Sequence, residues 1–262
     1  MEKLIDIGLN LMHKSFRKDR KEIIEEAKKV GVSKFIITGT NVKSSQIASE
    51  YALNYPDVLY STSGVHPHDA KTCNDKTLNE LQKIAENPSV VAIGECGLDY
   101  NRDFSPRDVQ REWFEKQIKL AEELNMPLFL HERDAHEDMY NILEKHDKIA
   151  KKAVIHCFTG TKSEAENYID LGCYIGVTGW ICDMKRGKSL QEAVSVIPSD
   201  KLMIETDAPF LIPKNFDNKP KKNRNEPKYL PHILNTIANY KNEDVEKLGK
   251  EVTKTTKKFF KI

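Results

Sequence analysis

Side chains able to bind a metal or move a proton stand where short apolar runs of this chain end. Asp6 lies in the first run; His66 and His68 follow the third, Glu95 the fourth, His131 the fifth, His156 the sixth and Asp207 the eighth. This mix of imidazole and carboxylate, without clustered thiolates, suits one or two divalent ions doing Lewis-acid work, with Mg2+, Mn2+ or Zn2+ all admissible. Each residue taken alone has an ordinary explanation. A histidine at a strand end can bond to a loop carbonyl, and Asp207 in Glu205-Thr206-Asp207 suits an N-cap or a turn. His131 and His156 carry more weight jointly, because both directly follow an apolar run in neighbouring units. Glu95 follows the run 90–94, and a carboxylate buried there needs a partner or a metal. His13, His136, His146 and His232 fall in loops or helices and read as solvated or packing residues.

The elements that must position these groups are short runs rich in Val and Ile: 4–11, 34–39, 59–65, 90–94, 127–131, 153–157, 173–179 and 201–205. Between them lie segments with apolar residues three and four apart, such as 19–30 and 107–124, the spacing of an amphipathic helix. Strand–helix alternation demands parallel pairing, since each crossover must return over the sheet face. Eight such units of about thirty residues match a single α/β domain, 1–262, folded as a (β/α)8 TIM-type barrel. An open doubly wound sheet is the alternative, but no GxGxxG or Walker sequence follows the first run. In a barrel, functional side chains gather at the C-terminal ends of the strands, which is where the residues above fall.

Bulk properties narrow the partners. Of 262 residues 39% are hydrophobic and 31% charged, the balance of a soluble globular protein, and a net charge of +1 means that a nucleic acid would be held by a local patch. Five scattered cysteines with no CxxC pair support neither a zinc knuckle nor a disulfide framework, so a reducing compartment is expected. MEKLIDIGLNL turns charged too early for a signal peptide, and no apolar stretch is long enough to span a bilayer. The expectation is a cytoplasmic or nuclear monomer with no membrane partner. Arg133 and Arg224 are expected to reach the same rim and grip phosphate oxygens in a bidentate way, with His68 beside them. The irregular stretch 209–231 carries the basic run 219–224, which adds non-specific phosphate contacts. Trp180, after the seventh run, is the better candidate for the substrate face; Trp113, on a helix, reads as packing.

The chain also resembles, from end to end, the TatD-type metal-dependent deoxyribonucleases. The matching motifs are Ile36-Ile37-Thr38-Gly39-Thr40-Asn41, Gly64-Val65-His66-Pro67-His68, and Ile93-Gly94-Glu95-Cys96-Gly97-Leu98-Asp99-Tyr100. They continue with Asn125-Met126-Pro127, His131 through Asp134, His156-Cys157-Phe158-Thr159-Gly160, Glu205-Thr206-Asp207-Ala208-Pro209 and Arg224-Asn225-Glu226-Pro227. The resemblance implies that Glu95, His131, His156 and Asp207 bind the metals, that His66 is the active-site histidine, and that Arg133 and Arg224 face the substrate. It implies hydrolysis of DNA phosphodiester bonds, as a 3'-5' exonuclease on single-stranded or damaged DNA. Glu95, His66 and Asp207 are then the catalytic set, with Asp207 accepting a proton and His66 orienting the water or protonating the leaving oxygen. Two positions depart from the family: Gly8 and Asn10 stand where many relatives carry His-x-His, and Glu132 stands where they often have cysteine. Two alternatives stay open, a small-molecule amidohydrolase or lactonase on the same barrel and a non-catalytic nucleic-acid-binding protein with a decayed metal site.

Overall fold

The computed structural model describes residues 3–217, 220 and 223–262. Its strands are β1 (Leu4–Leu9), β2 (Val32–Ile37), β3 (Leu59–Ser63), β4 (Val90–Asp99), β5 (Leu128–Arg133), β6 (Ala153–His156), β7 (Tyr174–Val177) and β8 (Leu202–Ile204). The helices are α1 (Arg20–Lys29), α2 (Val42–Ala52), α3 (Thr77–Ala85), α4 (Arg107–Leu124) and α5 (His136–Lys145), followed by α6 (Asp147–Ala150), α7 (Lys162–Asp170), α8 (Lys188–Ala193), α9 (Leu230–Lys241) and α10 (Val245–Phe260). The strands form one sheet in the order β1 to β8, and β3–β4, β4–β5, β5–β6 and β7–β8 are parallel. Strand one meets strand eight through the Leu9–Ala208 bridge, with the Asn10 amide donating to Ala208 O at 2.9 Å and the Asp207 amide to Gly8 O at 2.8 Å. This is the TIM-type (β/α)8 barrel that the alternation predicts. Among the described residues no helix is long and apolar enough to cross a membrane.

Packing distinguishes two compact units. One comprises Met1–Ile36, Cys157–Glu166 and Ile175–Ile262; the other comprises Ile37–His156 and Asn167–Tyr174. The second unit holds β3 to β6, whose residues are buried along nearly their whole length, as strands covered on both faces must be. Its longest helix, α4, buries Trp113, Phe114, Ile118 and Ala121 and ends at Asn125 in the left-handed conformation.

The chief departure from the sequence reading is β4, which continues past Gly94 to Asp99. Gly94 and Gly97 interrupt the apolar pattern, so they look like the end of a strand. In the structure they are where β4 lies hardest against β5. Their φ angles are +141° and +137°, and a Cβ on Gly94 would collide with the Phe129 carbonyl, one on Gly97 with the His131 carbonyl. Between them the register slips, so that Gly94 faces Phe129, Cys96 faces Leu130, and Glu95 is the extra residue of a bulge. Bulges re-aim a side chain beside an active site, and here the re-aimed side chain is Glu95. β8 is short, so Glu205, Thr206 and Asp207 lie beyond it.

Candidate active site

In the second unit three imidazoles converge on one carboxylate. Glu95 Oε1 is 2.8 Å from His156 Nε2, 2.9 Å from His131 Nδ1 and 3.3 Å from His66 Nε2. Each side chain is delivered by the fold. His131 and His156 are register partners across β5 and β6, so they point to the same side of the sheet. The His156 ring is stacked on Phe129 at 4.5 Å. His66 precedes a 3-10 turn, Pro67–Thr72, and its Nδ1 accepts the His68 amide, which turns Nε2 toward Glu95. Burial opposes the negative charge on Glu95, yet the His156 and His66 rings and the hydrogen bonds outweigh it and hold the carboxyl well below its ordinary range. Burial likewise pulls His66 below its usual value.

A second carboxylate stands behind the first. Asp99 Oδ2 is 2.6 Å from His68 Nε2 and 3.3 Å from His131 Nε2, while its Oδ1 accepts the amides of Asn101 and Arg102. His131 therefore lies between two carboxylates; burial disfavours its charge, but Asp99 and Glu95 override this and push its pKa up to about 9. Hydrogen bonds from His131, Arg102 and His68 overcome burial at Asp99 and keep it ionised. Asp99 belongs to a motif singled out in the sequence but had no role assigned. The missing signal was the continuation of β4, which sets Asp99 opposite Arg133, two residues beyond His131.

Helix α4 fixes the backbone of both groups. Gln117 accepts the Val65 amide at 2.7 Å and donates to Val65 O at 3.1 Å, holding the residue before His66. Gln110 accepts the Asp99 amide at 2.8 Å and donates to Asp99 O and Ser105 O. Both glutamines are buried, two turns apart on the helix, and so lie on the face turned to the barrel. His66, Glu95 and His131 each offer one ligand atom, all within 4.8 Å of one another. Two nitrogens and a carboxylate oxygen, with the buried His156 imidazole adjoining, form the donor set a divalent cation takes.

The other residues expected at the site have other neighbours. Arg133 ends β5, a third exposed, 3.8 Å from Asp134. His68 is paired to Asp99, as above. Glu132 is buried and accepts the Ala135 amide at 2.7 Å, steadying the entry to α5. In the first unit Asp207 Oδ1 accepts from Asn10 Nδ2 at 2.7 Å, so the asparagine at the His-x-His position meets the carboxylate as a donor. Asp6 is fully buried and bonds Thr206 through both the amide, 2.9 Å, and the hydroxyl, 2.6 Å. Arg224 makes a fork with Asp19 at 3.1 and 2.8 Å, reaches Ser15 O and Glu226, and lies over the Phe16 ring. Its bidentate geometry was anticipated, but the partner is the protein's own carboxylate. Trp180 is covered on one face by Arg186 at 4.4 Å. Lys219, Lys221 and Lys222 of the basic run lie outside the described residues.

Known proteins of similar shape and sequence bear on what such a site does. Residues 5–261 match the family described as TatD related DNase. A 3'-5' ssDNA/RNA exonuclease TatD from Pantoea ananatis is 46% identical over 257 residues, covering 98% of this chain and 99% of that protein. One of the same name from Escherichia fergusonii is 47% identical over 259 residues, covering 99% of each. Among solved structures, the TatD homolog YJJV from Escherichia coli superposes with a TM-score of 0.91 at 28% identity, over 99% of this chain and 98% of that one.

Proposed function

Because the chain belongs to the TatD-related DNase family and is a hydrolase of nucleic acid phosphodiesters, we propose that it is a 3'-5' exonuclease on single-stranded DNA or RNA, including the ends left at damaged DNA. The observation that carries this reading is the meeting of His66, His131 and His156 at Glu95. These residues would hold one or two divalent ions, Mg2+ or Mn2+ first, with Zn2+ also suited to so many imidazoles. Asp207 joins them on its position in the sequence. A cation there would supply polarisation of the phosphoryl oxygen and a lowered pKa for the attacking water.

The chain's own residues do the rest. Glu95 is ionised and gathers the imidazoles, and Asp99 fixes the ring planes of His68 and His131 from behind. His66, whose Nδ1 accepts the His68 amide and whose charged form burial disfavours, keeps its hydrogen on Nε2 beside Glu95, from where it orients the water. Asp207 takes up the water's proton, its other oxygen steadied by Asn10. Arg133, at the end of the ligand strand, contacts a phosphate oxygen. Arg224 we assign to holding the chain segment of Asp19 and Glu226 in place. Five free cysteines suit a reducing, cytoplasmic setting.

The test is cleavage of end-labelled single-stranded DNA and RNA with EDTA, Mg2+, Mn2+ and Zn2+, comparing the parent with Glu95→Ala and His156→Ala. A ladder receding from the 3' end, metal-dependent and lost in both variants, is the expected result. Folded protein that cuts neither polymer with any metal would overturn the reading.

A further inference from the structure

The segment linking β4 to α4 carries a phenylalanine that the chemistry above does not use. Phe104 is 55% exposed, among the most exposed large apolar side chains described. A single exposed phenylalanine is ordinary on a protein surface. This one differs in what it touches and in how it is held. Its ring packs edge-on against His68 at 4.7 Å, and His68 packs against His66 at 4.3 Å, so two ring contacts lead from Phe104 to the histidine beside Glu95.

The backbone beneath the ring is fixed on both sides. Lys71 Nζ donates to Phe104 O at 2.7 Å. The next residue, Ser105, is fully buried; its hydroxyl donates to His68 O at 2.8 Å and accepts the Lys71 amide at 3.1 Å, and its carbonyl accepts from Gln110. The turn bearing Phe104 is thus tied to the turn bearing His66 and His68, and to the helix that grips Asp99. An aromatic face is presented to solvent at low ordering cost, with the Lys71 ammonium beside its backbone. Aromatic faces take any nucleobase by stacking, while a neighbouring cation follows the phosphate chain.

We propose that Phe104 is a stacking platform for the base adjoining the scissile phosphate, an assignment that rests on the nuclease reading above. A π-face accepts every base, so end-trimming proceeds through any sequence.

The test compares the parent with Phe104→Ala, Phe104→Leu and Phe104→Trp on single-stranded oligonucleotides, and on the same strands with abasic sugars at the three terminal positions. Stacking on one base is worth a factor of about ten or more in affinity. Phe104→Ala and Phe104→Leu should raise KM about tenfold with kcat within about twofold, and Phe104→Trp should restore the parent KM. On abasic ends all four proteins should coincide. In parallel, 2-aminopurine at the 3' terminus, bound in EDTA, should be quenched by the parent and by Phe104→Trp but not by Phe104→Ala. An unchanged KM in Phe104→Ala, rescue by leucine, or an equal loss on abasic ends would overturn the platform. Parent protein that quenches the probe yet cuts nothing would sink the nuclease reading and reduce Phe104 to a base-stacking contact of a binding protein; absence of quenching in the parent would sink the platform itself.

Discussion

Replacing Asp6 by asparagine should make the protein more stable, and increasingly so as the pH rises. Asp6 is fully buried in β1, where its oxygens meet the Thr206 amide and hydroxyl and, at 3.3 Å, the Gly8 amide. Burial pushes its pKa from an ordinary 3.8 to about 8, and the charge of Glu205 adds to this, while the Thr206 bonds work against it. Near neutrality the folded protein therefore keeps the proton that the unfolded chain has lost. Below pH 3.8 both states are protonated and the group is neutral to stability. Above it the unfolded state is favoured by about 1.4 kcal/mol per pH unit until the folded carboxyl ionises near pH 8. Between pH 5 and pH 8 the handicap thus grows by roughly 4 kcal/mol, a large share of a typical total of about 5–15 kcal/mol. An asparagine oxygen can accept the same amides and its nitrogen can donate to the Thr206 hydroxyl, so any fixed cost of the substitution is the same at each pH. Urea unfolding of parent and Asp6→Asn, followed by circular dichroism at half-unit steps from pH 5 to 8.5, isolates this group because every other titration cancels. A stability difference that changes by less than about 1 kcal/mol over that range would show that Asp6 titrates normally, and the argument from burial would be wrong.

Three more expectations can be checked alongside it. Asp99→Asn removes the anionic partner of both His68 and His131, and should weaken the metal requirement curve by about 10- to 100-fold, read as the Mn2+ concentration for half-maximal cleavage; an unshifted curve refutes the supporting role of Asp99. Arg224→Ala takes its fork from Asp19 and one of two cationic partners from Glu226, which keeps Lys228, and should cost about 2 kcal/mol, lowering the thermal midpoint by roughly 4–8 °C. KM for single-stranded DNA should move less than about twofold, whereas a tenfold rise at unchanged stability would return Arg224 to the substrate. Gly97→Ala forces a Cβ into the His131 carbonyl and should cost about 3 kcal/mol or more together with activity; Gly31→Ala, where φ is +95° and nothing lies within 4 Å, should cost only about 1–2 kcal/mol.

Much of this molecule could be read from its residues, and what could not has identifiable causes. The eight apolar runs became eight strands because a parallel barrel strand is buried on both faces and leaves a continuous trace in the sequence. Glu95, His131 and His156 were visible because each follows such a run, and the structure brings them to one point. Asp99 was hidden because its strand runs on through two glycines that punctuate the pattern. The partners of Arg224 were hidden because Asp19 is 205 residues away in the chain, a pairing that no local signal reports. Asn10 was noted as a missing histidine, but only its side-chain direction reveals a donor to Asp207. Gln110 and Gln117 read as polar residues on an amphipathic helix; that they clasp Val65 and Asp99 depends on tertiary placement.

The glycine seam between β4 and β5 has a consequence for how such a site wears. At Gly94 and Gly97 an added Cβ would meet the Phe129 and His131 carbonyls, backbone atoms that cannot swing aside as a side chain can. The gap between Glu95 and His131 therefore behaves like a machined tolerance. Substitutions elsewhere in the barrel can soften the packing around this joint without changing its dimension. A designer who wants a fixed carboxylate–imidazole gauge on another sheet can borrow the bulge and its two glycines as one part.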